Sequence, residues 1–343
     1  MHHIPNQQPS TARTRQRGVA LLMAMLTVTL VASFAAAAAW QQWRAVEVET
    51  SERGRLQAGW ILVGALDWAR LILREDSRKS SDNDNLTEPW ATPLEEARLS
   101  SFLASDKNNA ALSEDELNSE VFLSGQIVDV QSRMNIKNLL DGNTLSKPAM
   151  DSFLKLFQQL NLDPVELVTM ADNLVLAADN TGDPRAAVQA PVMPERVEQL
   201  IWLGMQPATL ERLKPFVTVL HGPQSVNINT ASAEVLYASI PGLEWEGARR
   251  MVTARANKYF RSVDEVKKFL PQKPPASAAA GTPDPVGITL SVNSRFFEVS
   301  GRLRLADRII QERSLVERGT PDVKTLWRER AVVTPFGKQA SLQ

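Results

Sequence analysis

The sequence predicts an α+β protein in which a long amino-terminal membrane helix leads into a small sheet domain, and a large helical segment interrupts that sheet. Three observations support this prediction. Val19–Ala39 is uncharged and long enough to span a membrane, strand patterns occur on both sides of the middle of the chain, and about 140 residues of helical pattern separate them. A strand block divided in this way indicates one domain with an insertion.

The uncharged segment Gly18–Trp43 follows three arginines, Arg13, Arg15 and Arg17. A transmembrane helix needs about 20 apolar residues, and basic residues stay on the cytoplasmic side of a membrane. We therefore expect the amino terminus inside and the bulk of the chain outside. A simple signal anchor and a cleaved secretory signal with small residues at Ala35–Ala39 are the alternatives.

The start of the apolar run resembles the leader of type IV pilins and pseudopilins, because a short basic segment ends in Gly18 and the apolar residues begin at Val19. The resemblance implies that prepilin peptidase cuts between these two residues, leaving 1–18 as leader and 19–43 as membrane helix. Most pilin-like subunits carry glutamate at the fifth mature position, where this chain has Met23. Among type II secretion pseudopilins, that missing glutamate is a feature of the K subunit, which the family places at the filament tip.

Composition excludes several classes of site. The chain has no cysteine, so disulfides, zinc-thiolate sites and cysteine nucleophiles are excluded, and its formal net charge is −1, which gives no general electrostatic case for binding nucleic acid. His221 is the one histidine outside the leader and lies in an expected turn. Because no phosphate loop or pair of catalytic carboxylates stands out, we expect an assembly protein without catalytic residues. An anchored envelope enzyme is the weakest alternative.

Residues 44–132 are predicted to form the first part of the sheet domain. The membrane helix is expected to continue, and a polar loop is expected at 75–85. Val121–Leu123 and Gln126–Val130 read as two strands joined by a turn at Ser124-Gly125. The continued helix has a broad apolar face at helical spacing, formed by two adjacent stripes: Ala58, Ile61, Ala65, Trp68 and Ile72, and Gly59, Leu62, Leu66, Ala69 and Leu73.

The predicted helical insert, 133–270, begins with a motif that resembles the K subunit of type II secretion systems. That family has an aspartate-led strand followed by an asparagine turn, and this chain has Asp129 followed by Asn135 and Asn138.

A second motif, Val226–Leu270, resembles a helix-hairpin-helix unit. Its entry, with Asn227, Asn229 and Thr230, precedes a helix for which Thr230 is the expected N-cap, and Pro241-Gly242 form the hairpin. The same entry occurs in DNA-uptake proteins, so a membrane-anchored DNA-binding or DNA-uptake protein is the alternative function. Glu244 and Glu246 argue against it, because they would face the phosphates that supply most non-specific affinity.

The resemblance covers nearly the whole chain and implies a pilin-like α/β domain interrupted by an all-α insert with sterile-alpha-motif-like and helix-hairpin-helix-like halves. It implies a minor pseudopilin at the tip of the type II secretion pseudopilus, which initiates or caps assembly. The implied partners are the minor pseudopilins I and J, the major pseudopilin and prepilin peptidase, with no nucleic acid. The implied location is the bacterial inner membrane, with the bulk of the chain periplasmic.

The family also commonly binds calcium through an acidic loop in the insert. Calcium takes 6–8 oxygen ligands. In the matching stretch of this chain Asp172 agrees with the first aspartate of the family pattern, but Asn173 replaces a tryptophan. The rest of the acidic run is reduced to Asp179, Asn180 and Asp183. We expect this calcium site to be degraded, and we assign no metal ligand and no cofactor.

The carboxyl-terminal part is predicted as a linker, two closing strands and a tail. The linker, 271–285, is rich in proline and alanine. Within 286–318, Ser294–Leu305 and Arg308–Arg318 are expected to pair as a hairpin that completes the sheet. The tail, 319–343, is expected to have little structure apart from residues 323–327.

Overall fold

The structure is a computed structural model that describes residues 15–79, 83–99, 121–178, 190–271, 288–305, 308–319 and 322–333. It divides into two compact units, Met1–Trp60 and Ile61–Gln343. Residues 1–14 of the predicted leader, 272–285 of the predicted linker and 179–189 of the expected calcium loop lie outside the described residues.

Helix α1 runs over Arg15–Lys79 and contains the predicted membrane segment. Its described residues include one stretch that is long and apolar enough to cross a membrane, by length and composition. The expected cleavage point, Gly18-Val19, lies within this helix, and the side chain of Met23 is 58% exposed. The loop expected at 75–85 therefore starts later than predicted, because the helix continues to Lys79.

The second unit contains a five-stranded antiparallel sheet. Its strands, in their order across the sheet, are β1 (Leu94–Arg98), β2 (Val121–Asp129), β9 (Phe296–Leu305), β10 (Arg308–Arg318) and β11 (Val323–Val333). The two closing strands expected from the sequence correspond to β9 and β10, which pair with each other.

The turn predicted at Ser124-Gly125 is wrong, because these residues lie in the middle of β2. Gly125 is paired with Leu94 on one side and with Gly301 on the other. Backbone pairing along both edges of the strand therefore replaces the local turn that the Ser-Gly pair favours.

The expectation that 319–343 has little structure apart from residues 323–327 is also wrong, because this region contains the whole of β11. This strand pairs with β10 along most of its length, from Val323 opposite Arg318 to Val333 opposite Ile309. Its charged residues, such as Arg328 and Glu329, hide the strand pattern, yet pairing with a long neighbouring strand fixes its extended backbone.

The helical insert contains five helices and several two-residue strands among its described residues. Its strands pair as β3 with β6, β4 with β5, and β7 with β8, so that β8, which follows the linker, adds to the insert. The helices are α2 (Lys147–Gln159), α3 (Pro164–Ala178), α4 (Pro207–Leu213), α5 (Ala233–Ser239) and α6 (Trp245–Asn257). The short strands are β3 (Met134–Asn135), β4 (Leu140–Asp141), β5 (Thr144–Leu145), β6 (Val217–Thr218), β7 (Val226–Asn227) and β8 (Leu290–Ser291).

Three apolar clusters among the described residues stabilise the second unit, and one of them joins Leu220 of the insert to Phe296 and Leu315 of the sheet. In the sheet domain, Leu66 and Leu73 of α1 pack against Phe297 and Val316 of the sheet. The insert has its own larger core, with Phe153 of α2 among its fully buried residues. The stripe of the predicted apolar face that contains Leu66 and Leu73 is thus confirmed as covering the sheet, whereas Trp68 of the other predicted stripe is 44% exposed.

Two glycines of the sheet have neighbours that leave little room for a side chain. Gly125 and Gly301 lie opposite each other on β2 and β9. A methyl group at Gly125 would lie 2.9 Å from the carbonyl oxygen of Ser300, and one at Gly301 would lie 3.2 Å from Leu62 Cδ2. Both positions therefore favour a residue without a side chain.

We predict that Gly125→Ala lowers the free energy of unfolding by about 1–3 kcal/mol, because its methyl group overlaps backbone that cannot move away cheaply. Urea unfolding of the full-length protein, followed by circular dichroism, measures the change. Gly64→Ala is the matched control: it lies on α1 with open space around it, and should gain about 0.5–1 kcal/mol. Equal stability of the two variants would contradict the packing argument.

Candidate functional site at the junction of sheet and insert

The chain passes between the sheet and the insert at one end of the sheet. Strand β2 enters the insert after Asp129, β9 returns from it at Phe296, and Asp129 lies opposite Phe297 in the sheet. Phe297 belongs to the same cluster as Leu73, near the carboxyl-terminal end of α1. The insert is therefore held at the end of the sheet that lies away from Ile61, where α1 enters this unit.

Asp129 is the centre of this junction. Its side chain is 2% exposed, and Oδ1 accepts a hydrogen bond of 2.8 Å from the backbone N–H of Gln131. Oδ2 accepts from Thr230 Oγ1 at 2.5 Å, Ser294 Oγ at 2.6 Å and Asn227 Nδ2 at 3.1 Å. One carboxylate thus binds the strand end, the insert and the segment that leads into β9.

The expected helix cap at Thr230 is wrong. Ser232 is the N-cap of α5, and its side chain accepts from the backbone N–H of Val235. Thr230 instead donates its hydroxyl hydrogen to Asp129. A hydrogen bond to a charged acceptor is stronger than a neutral cap, and this acceptor lies about a hundred residues away in sequence.

The other asparagines of the two motifs bind backbone segments. Asn138 donates to the carbonyl oxygen of Gln224 and accepts from its N–H, both at 2.7 Å. Asn229 makes the same two contacts with Phe260, at 2.9 and 2.8 Å. Each amide therefore reproduces the pair of hydrogen bonds that a neighbouring strand would provide.

The side chains of Asn135 and Asn227 each bind the backbone of two other residues. Asn135 accepts from the N–H of Leu220 at 2.9 Å and donates to the carbonyl of Gly222 at 2.7 Å. Asn227 Nδ2 lies 3.1 Å from the carbonyl oxygen of Asp84, and Asn227 Oδ1 accepts from the N–H of Asn229 at 2.9 Å. Asn227 and Asn229 thus belong to the Asp129 network, whereas Asn135 and Asn138 bind the backbone between Leu220 and Gln224.

A second charged group adjoins Asp129. The guanidinium of Arg318 binds Asp76 at 2.6 Å and Asp84 at 2.5 Å, and it donates to the carbonyl of Ser294 at 2.7 Å. Asp84 also accepts from the backbone N–H of Ser294 at 2.6 Å. Sequence reasoning missed the roles of Arg318, Asp84 and Ser294, because Asp84 lies in the expected polar loop and the other two lie at the ends of predicted strands, where polar residues are ordinary.

Asp76, Asp84 and Glu88 could in principle hold a cation, since their carboxylate oxygens lie within 4.8 Å of one another. Arg318 already binds two of the three groups, so a metal ion would have to lie beside a guanidinium. The arrangement fits an ion-paired cluster better than a metal site.

Burial shifts the carboxyl groups of the junction toward their protonated forms. Loss of solvent raises the pKa of Asp129 to about 6, although hydrogen bonds from Ser294 and Thr230 act in the opposite direction. Loss of solvent also raises the pKa of Glu88 to about 7, against a hydrogen bond from Trp90. The pKa of Asp76 is raised by burial as well, despite the neighbouring Arg318.

Two arginines of the helix-hairpin-helix segment interact with other groups of the protein. Gly242, with a positive φ of 72°, follows Pro241 between α5 and α6. Arg249 lies 3.5 Å from Glu246, and Arg255 donates to backbone carbonyls of the insert at 2.5 and 2.9 Å. These two arginines therefore already interact with groups of the protein.

The expected calcium residues are only partly described. Asp172 is exposed on α3, and Asn173 donates to the carbonyl of Leu203 at 3.0 Å, which ties α3 to the next segment of the insert. Asp179, Asn180 and Asp183 lie outside the described residues. The degraded calcium site thus stays a prediction.

Two family models match the insert. Both describe protein K of the type II secretion system, one over residues 132–223 and the other over residues 226–286. Their boundary falls between the two asparagine motifs, at the segment that Asn138 binds.

Relatives that match along most of this chain are also named protein K of the type II secretion system. A type II secretion system protein K of Pseudomonas aeruginosa is 25% identical over 90% of this chain and 90% of its own length. The corresponding protein of Klebsiella pneumoniae is 26% identical over 89% of this chain and 93% of its own. A chain of the crystal structure of the GspK-GspI-GspJ complex from enterotoxigenic Escherichia coli has a TM-score of 0.54 at 17% identity, covering 82% of this chain and 98% of that one. The structural match confirms the α+β fold.

We predict that Asp129→Asn lowers the free energy of unfolding by about 2–4 kcal/mol, because an amide nitrogen in place of Oδ2 leaves buried donors without an acceptor. Denaturant unfolding of the full-length protein tests this. Asp141→Asn, at an exposed position of β4, should change stability by less than about 0.5 kcal/mol. If both variants unfold at the same denaturant concentration, Asp129 does not organise the junction.

The raised pKa of Glu88 gives a pH-dependent prediction. A carboxyl group whose pKa rises from 4.5 to about 7 on folding stabilises the protein fully below its unfolded pKa, and this contribution is lost as pH rises through the folded pKa. Glu88→Gln, which resembles the protonated group, should therefore become more stable relative to the unmodified protein between about pH 5 and about pH 8. Melting temperatures across this range measure the difference, with the exposed Glu95→Gln as control. A pH-independent difference for Glu88→Gln would refute the prediction.

Proposed function

We propose that this chain, which belongs to the type II secretion system protein K family, is a minor pseudopilin that occupies the tip of the secretion pseudopilus. In this position it would initiate the filament or cap it during protein export across the outer membrane. The proposed role is mechanical and uses no catalytic residue.

The position of the insert is the observation that carries this proposal. The insert leaves the sheet at the end away from Ile61, whereas the segment that could cross a membrane precedes Ile61 in the chain. In a filament of subunits anchored by their amino-terminal helices, a large domain at this end would block the addition of a further subunit above it. The hydrogen-bonded junction around Asp129 would hold that domain in place.

The membrane helix provides the anchor and the lateral contacts. We infer cleavage between Gly18 and Val19 by prepilin peptidase, a cytoplasmic amino terminus and a periplasmic second unit. Met23 replaces the glutamate of most pilin-like subunits, so this subunit avoids a carboxylate in the bilayer, which costs roughly 2.5–3.5 kcal/mol. It also lacks the charge that pairs with a neighbouring subunit below the tip.

The minor pseudopilins I and J are the proposed neighbours, with the major pseudopilin below them. The similar Escherichia coli structure is a complex of GspK with GspI and GspJ. In the present chain, Trp68 and Leu71 on α1 are 44% and 42% exposed, although the opposite face of the helix is buried on the sheet. Such a partly exposed apolar face suits packing against another pilin-like helix.

We predict that coexpression with prepilin peptidase yields a protein beginning at Val19, and that this protein copurifies with pseudopilins I and J of the same system. Intact mass and amino-terminal sequencing measure the first outcome, and affinity purification measures the second. Replacing Trp68 and Leu71 together by arginine should abolish copurification, because charge would enter an apolar contact, whereas Ser77→Arg at an exposed position of α1 should not.

An amino terminus near Ala37–Trp40, or an uncut Met1, would contradict membership of the processed filament. Salt-sensitive binding of duplex DNA by the full-length protein would instead support the alternative based on Val226–Leu270.

A further inference from the structure

The insert also contacts the sheet away from the Asp129 junction, on the face of the sheet that α1 does not cover. Leu220 of the insert shares an apolar cluster with Leu315 of β10, and Trp327 of β11 packs against this cluster. Leu315 precedes Val316, which packs with α1, so these two side chains point to opposite faces of the sheet. Because β9 and β10 separate β2 from β11, the second contact lies about 14 Å across the sheet from Asp129, at about 4.8 Å per strand.

Arg196 is the polar part of this second contact. Its Nη1 donates to Glu329 Oε2 on β11 at 3.2 Å, and its Cζ lies 4.9 Å from the centre of the Trp327 ring. A guanidinium at this distance is attracted to an indole ring. Trp327 therefore contacts the insert through the apolar cluster and through a cation.

Both sides of the contact are firmly attached to their own part of the molecule. Arg196 immediately precedes the short 3-10 helix Val197–Leu203, in which Leu200 and Leu203 are fully buried in the core of the insert. The partners of Arg196 lie on β11, which pairs with β10 along most of its length. A rotation of the insert on the sheet would therefore separate Arg196 from β11.

The charges on the two sides are arranged in matching order. Glu329 lies opposite Arg313 of β10, and the insert carries Glu198 two residues after Arg196. The pKa of Arg313 is raised mainly by its hydrogen bond with Glu298, and the nearby charges of Glu198 and Glu329 raise it further. The insert thus presents a cation to Glu329 and an anion to Arg313. Displacement of the insert along the sheet would bring like charges together.

We propose that Arg196, Trp327 and Glu329 form a clasp that sets the angle of the insert on the sheet. The side chains of Arg196 and Glu329 are 35% and 49% exposed, so their ion pair adds little to overall stability and acts mainly on position. The buried junction around Asp129 attaches the insert, and the clasp gives it a direction. The use of this direction in a filament rests on the proposed tip role, whereas the angle is a property of this chain alone.

Distances between two spin labels test the clasp. The chain has no cysteine, so labels attach only where cysteines are introduced. Gln158→Cys on α2 and Glu95→Cys on β1, both at exposed positions, place one label on the insert and one on the sheet. Double electron–electron resonance on the full-length protein in nanodiscs should give one narrow distance distribution. Arg196→Glu should widen it about twofold, because Glu329 then repels the insert, with little change in melting temperature.

A charge exchange and a matched control separate the clasp from a general loss of packing. The double variant Arg196→Glu/Glu329→Arg should restore the narrow distribution, because it recreates an ion pair with the charges reversed. Arg304→Glu is the control: Arg304 binds Glu96 at 2.6 Å and lies 4.0 Å from the centre of the Phe122 ring, but all three residues belong to the sheet. This control should leave the width unchanged.

An unchanged width for Arg196→Glu would refute the clasp, and so would a double variant as wide as the single one or equal widening by Arg304→Glu. If Arg196→Glu does not fold, Glu329→Lys at its exposed strand position repels Arg196 from the other side and should produce the same widening. None of these measurements needs a partner subunit. Failed copurification with pseudopilins I and J would therefore reject the tip role and leave the clasp standing.

Discussion

The buried carboxylate of Asp129 constrains the rest of the second unit. An isolated charge in a protein interior is strongly unfavourable, and it is tolerated only when hydrogen bonds compensate for the lost water. Here the donors come from the strand end, the start of the helix-hairpin-helix segment and the segment before β9. The carboxylate is satisfied only when all three segments are in place, so the insert and the sheet depend on each other for their folding.

The asparagine side chains extend this dependence into the insert. Its strands are only two residues long and cannot form extended ladders. Asn138 and Asn229 therefore bind irregular backbone in the manner of a paired strand, each through one donor and one acceptor. Buried backbone groups that would otherwise be unpaired become satisfied in this way, at the cost of fixing two side chains.

The proposed tip role requires a helical domain that keeps its orientation on the sheet. The hydrogen bonds of Asp129 and the ion pairs of Arg318 restrain that orientation at the junction.

Local pattern in the sequence determined the apolar amino-terminal helix, the two closing strands and the helical insert, whereas the asparagine motifs at the ends of the insert came from a family resemblance. These features depend on neighbours a few residues apart, which is the range over which helix and strand periodicity operates. Tertiary structure decided what depends on distant partners. Ser124-Gly125 do not form the predicted turn, because β2 is paired on both sides. Residues 323–333 form the strand β11 because β10 pairs with them. Thr230 donates a hydrogen bond to Asp129 instead of capping a helix, and Arg318 binds Asp84, which lies 234 residues away in sequence. No local pattern encodes the contact between Arg318 and Asp84.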